Sequence, residues 1–201
     1  MKQGLTEIVA ILDKSGSMMP VAGDSIGGIN SFITEQASLP GDASFTLTLF
    51  DTNITKKYDG VPIKNVKPLE KNDYIPGGNT SLLDAIGVTI NEVGARLASL
   101  PETDRPEKVI FAILTDGEEN SSREYSRSQI FDMINHQREK YNWEFMFLAA
   151  NQDAISTGQQ MGILHSANYV SDSNGTQDAY MSISRSVKAY RSSGKVDLDN
   201  D

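Results

Sequence analysis

Apolar residues along the chain fall into two patterns that predict different secondary structures. Near-continuous apolar runs are typical of central strands buried on both faces, and three occur, at Leu5 to Leu12, Val109 to Leu114 and Phe145 to Ala150. Residues 43 to 51 instead alternate apolar and polar side chains, and a polar break leads to Ile54 through Tyr58. This predicts a hairpin with a more exposed edge strand. A last short strand is predicted at Ala167 to Val170.

Between these runs, apolar residues recur at intervals of three and four, which predicts amphipathic helices. Five segments of this kind occur, at Val21 to Ile33, Leu83 to Leu97, Ile130 to Ile134, residues 153 to 162 and Tyr180 to Tyr190. We interpret the two tyrosines of the last segment as core side chains. The alternation of strands and helices predicts an α/β fold. We expect a doubly wound, Rossmann-like three-layer sandwich with a mostly parallel central sheet and one antiparallel edge strand.

Length and charge limit the number of domains and the kinds of partner. The 201 residues suit one domain, which we place at residues 1–191, followed by an acidic flexible tail at 192–201. Lys and Arg number 18 against 27 Asp and Glu, giving a net charge of −9, and no basic cluster occurs. These observations argue against nucleic acid or an anionic membrane as the main partner. We expect a monomer.

Missing residue types exclude several chemistries. The chain contains no cysteine, which excludes disulfides, thiolate metal sites, iron–sulfur clusters and cysteine nucleophiles. His136 and His165 are the only histidines, so zinc is also poorly supplied with ligands. No apolar run is long enough to span a membrane, and the first residues do not form a signal peptide. We therefore expect a cytoplasmic protein.

Three polar loops follow strands or precede a helix, and each contains oxygen donors. They are Asp13-Lys14-Ser15-Gly16-Ser17, Gly77-Gly78-Asn79-Thr80-Ser81 and Thr115-Asp116-Gly117-Glu118-Glu119. In an open α/β sheet, ligands bind beyond the strand carboxyl ends where the strand order reverses. If the strands at 5–12 and 109–114 are neighbours, two carboxylates and three hydroxyls converge between them. The loops therefore predict a single site.

The chemistry of these donors indicates the ligand. The candidate metal ligands are Asp13, Ser15, Ser17, Thr80 and Asp116. Oxygen donors without sulfur or imidazole select a hard divalent cation; Mg²⁺ is our first choice, with Mn²⁺ or Ca²⁺ as alternatives. Because three donors are neutral hydroxyls, the ion keeps much of its charge and attracts a carboxylate. Each loop alone also has a purely structural explanation, such as a capping box formed by Ser81 and Asp84.

At these residues the sequence resembles the von Willebrand factor A (VWA) domain. Its metal-ion-dependent adhesion site, or MIDAS, combines an Asp-x-Ser-x-Ser loop with a later Thr and a later Asp, and all five positions match. The resemblance implies that Ser15, Ser17 and Thr80 contact the metal directly, with Asp13 and Asp116 acting partly through water. The resemblance covers about residues 5 to 191, and the sequence is most similar to small stand-alone bacterial or phage members of the family. It leaves no second functional domain.

Charged residues next to the three loops form a weaker set of candidates. Asp51, Glu118, Glu119 and Asn151 are predicted near the same sheet edge, where solvated loop side chains are their simplest interpretation. Lys14 lies inside the first loop, and we assign it no ligand role because Asp13 and Ser15 are expected to point inward.

Three functions remain to be compared. The leading hypothesis is a non-enzymatic adhesion or adaptor module in which an Asp or Glu of a protein partner completes the coordination of Mg²⁺. A Mg²⁺-dependent hydrolase acting on a phosphoryl substrate is an alternative, but the sequence has no nucleotide-binding loop and no evident nucleophile–histidine pair. The third is a scaffold or RNA-binding protein with a vestigial metal site, which the acidic composition disfavours.

Overall fold

The computed structural model describes residues 1–151 and 153–198. Six strands form one sheet: β1 (Lys2–Asp13), β2 (Asp42–Phe50), β3 (Ile54–Pro62), β4 (Pro106–Thr115), β5 (Glu144–Ala149) and β6 (His165–Asn168). The α-helices are α1 (Ala22–Ser38), α2 (Leu82–Ser99), α3 (Arg127–Tyr141), α4 (Ala154–Gln160) and α5 (Ser173–Ser193). Short 3₁₀ helices lie at Gly16–Val21, Ile63–Asn65 and Glu102–Asp104. Each predicted strand and helix is present.

The strand order is β3-β2-β1-β4-β5-β6. Strand β1 pairs in parallel with β2 on one side and with β4 on the other, so the direction of winding reverses between β1 and β4. Strands β4, β5 and β6 are also parallel, whereas β3 pairs antiparallel with β2 at the edge. The predicted mixed, doubly wound sheet is confirmed, and its switch point lies where the three polar loops meet.

The sheet separates two hydrophobic cores, which completes a three-layer sandwich. Alternate residues of β1 point to opposite faces: Ile8 packs with α1 and α5, and Val9 packs with α2 and α3. Tyr180 and Tyr190 of α5 are buried in the first core, as expected from their helical spacing. Helices on both faces explain why the central strands are apolar throughout.

Strand β2 is more buried than its alternating pattern suggests. The exposed edge strand is β3, whereas Thr46 and Thr48 of β2 are almost completely buried. The hydroxyl of Thr48 accepts a hydrogen bond from Thr89 of α2, and that of Thr46 donates to Glu7. The alternation of apolar and polar side chains along β2 therefore reflects a polar interface with α2 rather than exposure to solvent.

The segment that directly follows α5 packs back against the first core. Helix α5 continues to Ser193, and in the segment that follows, Val196 and Leu198 pack against the first core. Only 8% of Leu198 is exposed, because it finds apolar neighbours despite the acidic residues around it. Residues 199–201 of the predicted tail lie outside the described residues, and the division of the chain at residue 191 stays a prediction.

Within residues 1–151 and 153–198, no helix is both long and apolar enough to cross a bilayer.

Candidate metal centre

The three predicted loops meet at one edge of the sheet, beyond the adjacent ends of β1 and β4. The N–H of Gly16 donates to the carbonyl oxygen of Gly78 at 3.2 Å, and the N–H of Gly77 donates to that of Lys14 at 2.9 Å. These backbone hydrogen bonds join the first loop to the second. The third loop follows β4, which pairs with β1 along most of its length. The topology thus brings the loops together, as the sequence predicts.

Asp13 is the last residue of β1, and 1% of it is exposed. Its Oδ1 accepts a hydrogen bond from the Ser15 N–H at 2.6 Å, and its Oδ2 accepts one from the Thr115 hydroxyl at 2.5 Å. Burial raises the pKa of the Asp13 carboxyl above its ordinary value, and the nearby Asp116 charge raises it further, while the two hydrogen bonds oppose this rise. A cation in this position would favour the ionised form.

The serines of the first loop connect to the second carboxylate. The Oγ atoms of Ser15 and Ser17 are 3.1 Å apart, and the Ser17 hydroxyl donates to Asp116 Oδ1 at 2.6 Å. The other oxygen of Asp116, Oδ2, accepts a hydrogen bond from Ser171 at 3.3 Å. The side chain of Asn151 donates to the Asp116 carbonyl oxygen at 3.0 Å. Asp116 is therefore held from several sides while one of its oxygens faces the serines.

Thr80 completes the group of five predicted residues. Its N–H donates to Asn120 Oδ1 at 3.0 Å, and its carbonyl oxygen accepts from the Asn120 N–H at 3.1 Å. A Cβ placed on Gly117 would lie 3.1 Å from Thr80 Oγ1, 3.5 Å from Ser17 Oγ and 3.9 Å from Asp13 Oδ2. Because it has no Cβ, Gly117 leaves the space next to these three oxygens open.

The arrangement suits a hard divalent cation. All five side chains supply oxygen, and two oxygens bound at right angles to Mg²⁺ lie about 3.0 Å apart, close to the 3.1 Å between the hydroxyls of Ser15 and Ser17. In the described part of the chain, no group of three or more His, Cys, Asp or Glu side chains could hold a metal, so hydroxyls would have to complete any such site. Ser17 is exposed, which opens the group to solvent on one side.

Four weaker candidates lie at this edge with different surroundings. Asp51 forms an ion pair with Lys14, which accounts for the direction of that lysine. Glu118 is exposed, and Asn151 contacts the Asp116 backbone. Glu119 instead accepts hydrogen bonds from the N–H groups of residues 83, 121 and 122. It therefore caps α2 and the adjoining loop rather than facing the five predicted residues.

Ser81 and Asp84 do not form a capping box at the start of α2, so this alternative explanation of the second loop does not hold. Ser81 is the N-cap residue, but its hydroxyl pairs with that of Ser121 at 2.8 Å. The Asp84 carboxylate accepts from the N–H groups of residues 123, 124 and 125. Glu119 and Ser122 take over the capping role by accepting from the N–H groups of residues 83 and 84. The helix dipole favours an acidic residue such as Glu119 at this end. Both capping residues come from a distant loop, which the spacing of residues around α2 does not reveal.

Other supporting residues also escaped sequence analysis. Thr115 orients Asp13, Asn120 holds the Thr80 backbone, and Ser171 contacts Asp116. The Tyr74 hydroxyl donates to the Asp13 carbonyl oxygen. Of these four residues, Thr115 could have been identified from the sequence, because it directly precedes a candidate ligand at the end of a strand.

No protein-family model matches the chain, and no curated protein sequence matches it. Solved structures do match. A von Willebrand factor type A protein from Catenulispora acidiphila is 12% identical, with a TM-score of 0.61, over 92% of this chain and 43% of that one. Manganese-loaded TRAP protein from Plasmodium vivax is 15% identical, with a TM-score of 0.58, over 89% and 73%.

A further solved structure of similar fold contains a bound metal. Proximal thread matrix protein 1 from the mussel byssus, with a zinc-occupied MIDAS motif, is 14% identical, with a TM-score of 0.59, over 92% of this chain and 46% of that one. The chain thus spans less than half the length of the Catenulispora and mussel proteins. At these identities the likeness concerns the fold alone, and the chain has the Rossmann-like α/β fold of VWA domains.

Proposed function

We propose that this protein is a metal-ion-dependent binding module that recognises an acidic residue of a protein partner. Asp13, Ser15, Ser17, Thr80 and Asp116 would hold Mg²⁺, with Mn²⁺ or Ca²⁺ as alternatives. The observation that carries this proposal is the convergence of these five side chains from three loops at the switch point of the sheet. Metal-bearing proteins of similar fold support it.

The five residues would have two different roles at the metal. The hydroxyls of Ser15, Ser17 and Thr80 would be the direct ligands, as the resemblance to VWA domains implies. The Ser17 and Thr80 hydroxyls lie beside Gly117, and Ser15 Oγ is 3.1 Å from Ser17 Oγ. Asp13 and Asp116 already accept hydrogen bonds from neighbours and would orient those ligands or hold bound water. A bound divalent ion would supply an electrophilic position for an incoming carboxylate. Exposure of Ser17 supports a binding position that a partner can reach from solvent.

We infer a non-catalytic role. Catalysis of hydrolysis would need a positioned base or nucleophile beside the ion. The two histidines lie elsewhere: His136 contacts the Tyr141 ring, and His165 lies 3.7 Å from Glu144. A screen for Mg²⁺-dependent phosphatase and nuclease activity tests this part, and turnover that Asp116→Ala abolishes would contradict it.

Calorimetric titration with Mg²⁺ tests the metal site. Thr80→Val removes one hydroxyl ligand at nearly constant volume and should weaken Mg²⁺ binding by about tenfold or more, in line with losses at other metal sites. Thr89→Val is a matched control, because Thr89 is equally buried but bonds to Thr48 and the Ala85 carbonyl oxygen in α2. Equal Mg²⁺ affinity of the two variants would contradict the proposed ligand set.

A further inference from the structure

A largely buried ion pair lies beside the candidate metal centre and joins two loops. Lys14 belongs to the first loop, and its ammonium pairs with Asp51 Oδ2 in the turn that links β2 to β3. Only 15% of the Lys14 side chain and 11% of the Asp51 side chain are exposed. A buried ion pair adds little net stability compared with apolar side chains of similar size, but it ties its two segments to one arrangement. Its importance therefore depends on what those two segments hold.

The turn after β2 holds the residues on both sides of the candidate ligand Thr80. The Asp51 carbonyl oxygen accepts a hydrogen bond from the Ser81 N–H at 3.1 Å. The Thr52 hydroxyl accepts one from the Asn79 N–H at 2.9 Å. The backbone of the second loop is thus attached to the turn directly before and directly after Thr80.

Lys14 is itself attached to both neighbouring segments through its backbone. Its N–H donates to the Phe50 carbonyl oxygen at 2.7 Å, and its carbonyl oxygen accepts from the Gly77 N–H at 2.9 Å. The second loop also packs tightly on the turn: Gly78 has a φ of +68°, and a Cβ there would lie 2.7 Å from Thr52 Oγ1. Glycine suits both the conformation and the close approach. The first loop, the turn and the second loop therefore form one closed unit around the ion pair.

The rigidity of a ligand influences which divalent ion a site favours. Mg²⁺ requires a nearly ideal octahedron with metal–oxygen distances of about 2.0–2.1 Å, whereas Ca²⁺ accepts more flexible arrangements at about 2.3–2.6 Å. A Thr80 hydroxyl whose backbone is held on both sides suits the stricter ion. If the segment around Thr80 became looser, Mg²⁺ binding should therefore suffer more than Ca²⁺ binding.

We propose that Lys14 and Asp51 are positioning residues that fix the Thr80 hydroxyl and thereby make the site favour Mg²⁺ over Ca²⁺. This inference rests on the proposed function and names the residues that set its ion preference. Neither side chain is a metal ligand here. The Lys14 ammonium is directed to Asp51 Oδ2, and Asp51 Oδ1 accepts from the Asn53 N–H at 2.6 Å.

Calorimetric titration of the full chain with Mg²⁺ and with Ca²⁺ tests the inference. Lys14→Met removes the ammonium but keeps a long side chain. It should weaken Mg²⁺ binding by about tenfold, as for other residues that orient metal ligands, and Ca²⁺ binding by less, so the ratio of the two affinities should fall several-fold. Lys14→Arg keeps a cation that can pair with Asp51 and should retain most of the ratio.

A second variant keeps the test decisive if Lys14→Met does not fold. Asp51→Asn preserves the shape of the side chain and removes its charge, so it should lower the ratio of Mg²⁺ to Ca²⁺ affinity in the same direction. Urea denaturation in EDTA identifies the variants that are folded before titration.

A double-mutant cycle shows whether the ion pair acts through Thr80. Thr80→Val already lacks the hydroxyl, so adding Lys14→Met should cause little further loss of Mg²⁺ affinity, whereas independent effects would add. Lys56→Met is the matched control. Lys56 also pairs with acids, at 2.8 Å with Asp59 in β3 and at 3.1 Å with Glu92 in α2, and its loss should change the affinity for neither ion.

The outcomes separate this inference from the proposed function. Equal losses of Mg²⁺ and Ca²⁺ affinity in Lys14→Met, unchanged Mg²⁺ affinity, or losses that add to those of Thr80→Val would overturn the inference and leave the metal site in place. If Thr80→Val binds Mg²⁺ as tightly as Thr89→Val, or if the unaltered chain binds neither ion, the proposed function is contradicted and the inference falls with it.

Discussion

Two buried carboxylates on β1 differ in their partners in the described structure, because one is paired with a basic side chain and the other is not. Glu7, in the middle of β1, is completely buried and accepts hydrogen bonds at 2.7 Å from both the Arg96 guanidinium and the Thr46 hydroxyl. Asp13, at the end of β1, accepts hydrogen bonds from Ser15 and Thr115. Within the described residues, no basic side chain forms an ion pair with Asp13.

The difference separates a structural charge from a charge available for a ligand. Buried charges in proteins are paired with opposite charges or coordinate metals. Arg96 satisfies the first condition for Glu7. In the described part of the chain, Asp13 has no such cation: burial raises its pKa, and the charge of Asp116 raises it further. Burial alone does not distinguish these acids, but their partners do.

The largest expected effect concerns the paired acid. Arg96→Ala leaves Glu7 buried without its cation and should lower the free energy of unfolding by about 3 kcal/mol, measured by urea denaturation. The double variant Glu7→Gln, Arg96→Met removes both charges and should recover much of this loss. A loss below about 1 kcal/mol for Arg96→Ala would show that the pair behaves like an exposed salt bridge.

A smaller effect of opposite sign is expected at the unpaired acid. Because burial raises the folded-state pKa of Asp13, its contribution to stability is fully present below the ordinary pKa and is lost as the pH rises through the folded value. In EDTA at pH 7, Asp13→Asn should therefore raise the free energy of unfolding, because a buried carboxylate without a cation is costly, while abolishing stabilisation by Mg²⁺. Thermal denaturation with and without Mg²⁺ measures both effects.

Exposed Asp132 provides the control for that experiment. Asp132→Asn removes the same charge from the surface of α3 and should change neither the stability in EDTA nor the response to Mg²⁺. Destabilisation by Asp13→Asn in EDTA would mean that the ionised Asp13 is already well compensated in the metal-free protein.

The smallest effect is expected for a substitution that fills the space beside the candidate ligand oxygens. A methyl group at position 117 would lie 3.1 Å from Thr80 Oγ1, so Gly117→Ala should reduce Mg²⁺ affinity by up to about tenfold with little change in stability. Gly77→Ala is the matched control, because a Cβ there meets no atom within 4 Å. Calorimetry on the two variants checks the comparison, and unchanged affinity in Gly117→Ala would place the ion elsewhere.

Features that depend on local periodicity could be predicted from the sequence. Continuous apolar runs revealed the central strands, and three-and-four spacing revealed all five helices, because burial on a sheet imposes these patterns. Neighbouring strand ends then brought together the loops that contain Asp13 and Asp116. The ligand role of these residues stays a prediction, since donor type and proximity indicate a metal but do not identify it.

Features that depend on long-range partners could not be predicted. Glu7 lies within an apolar run, and its partner Arg96 is 89 residues away. The threonines of β2 read as half-exposed because nothing local shows that α2 covers them. Leu198 lies in an acidic segment and becomes buried only through tertiary contacts. In each case the deciding contact joins segments that sequence spacing does not relate.

Capping of α2 by the loop after β4 has a consequence for the order of folding. Glu119 and Ser122 lie 36 and 38 residues beyond the N–H groups that they satisfy, and Asn120 fixes Thr80 across 40 residues. Such contacts form only after a large loop has closed. The first turn of α2 and the Thr80 loop should therefore become ordered after β4 has joined β1. Acquisition of the ion would then report that the central strands have assembled.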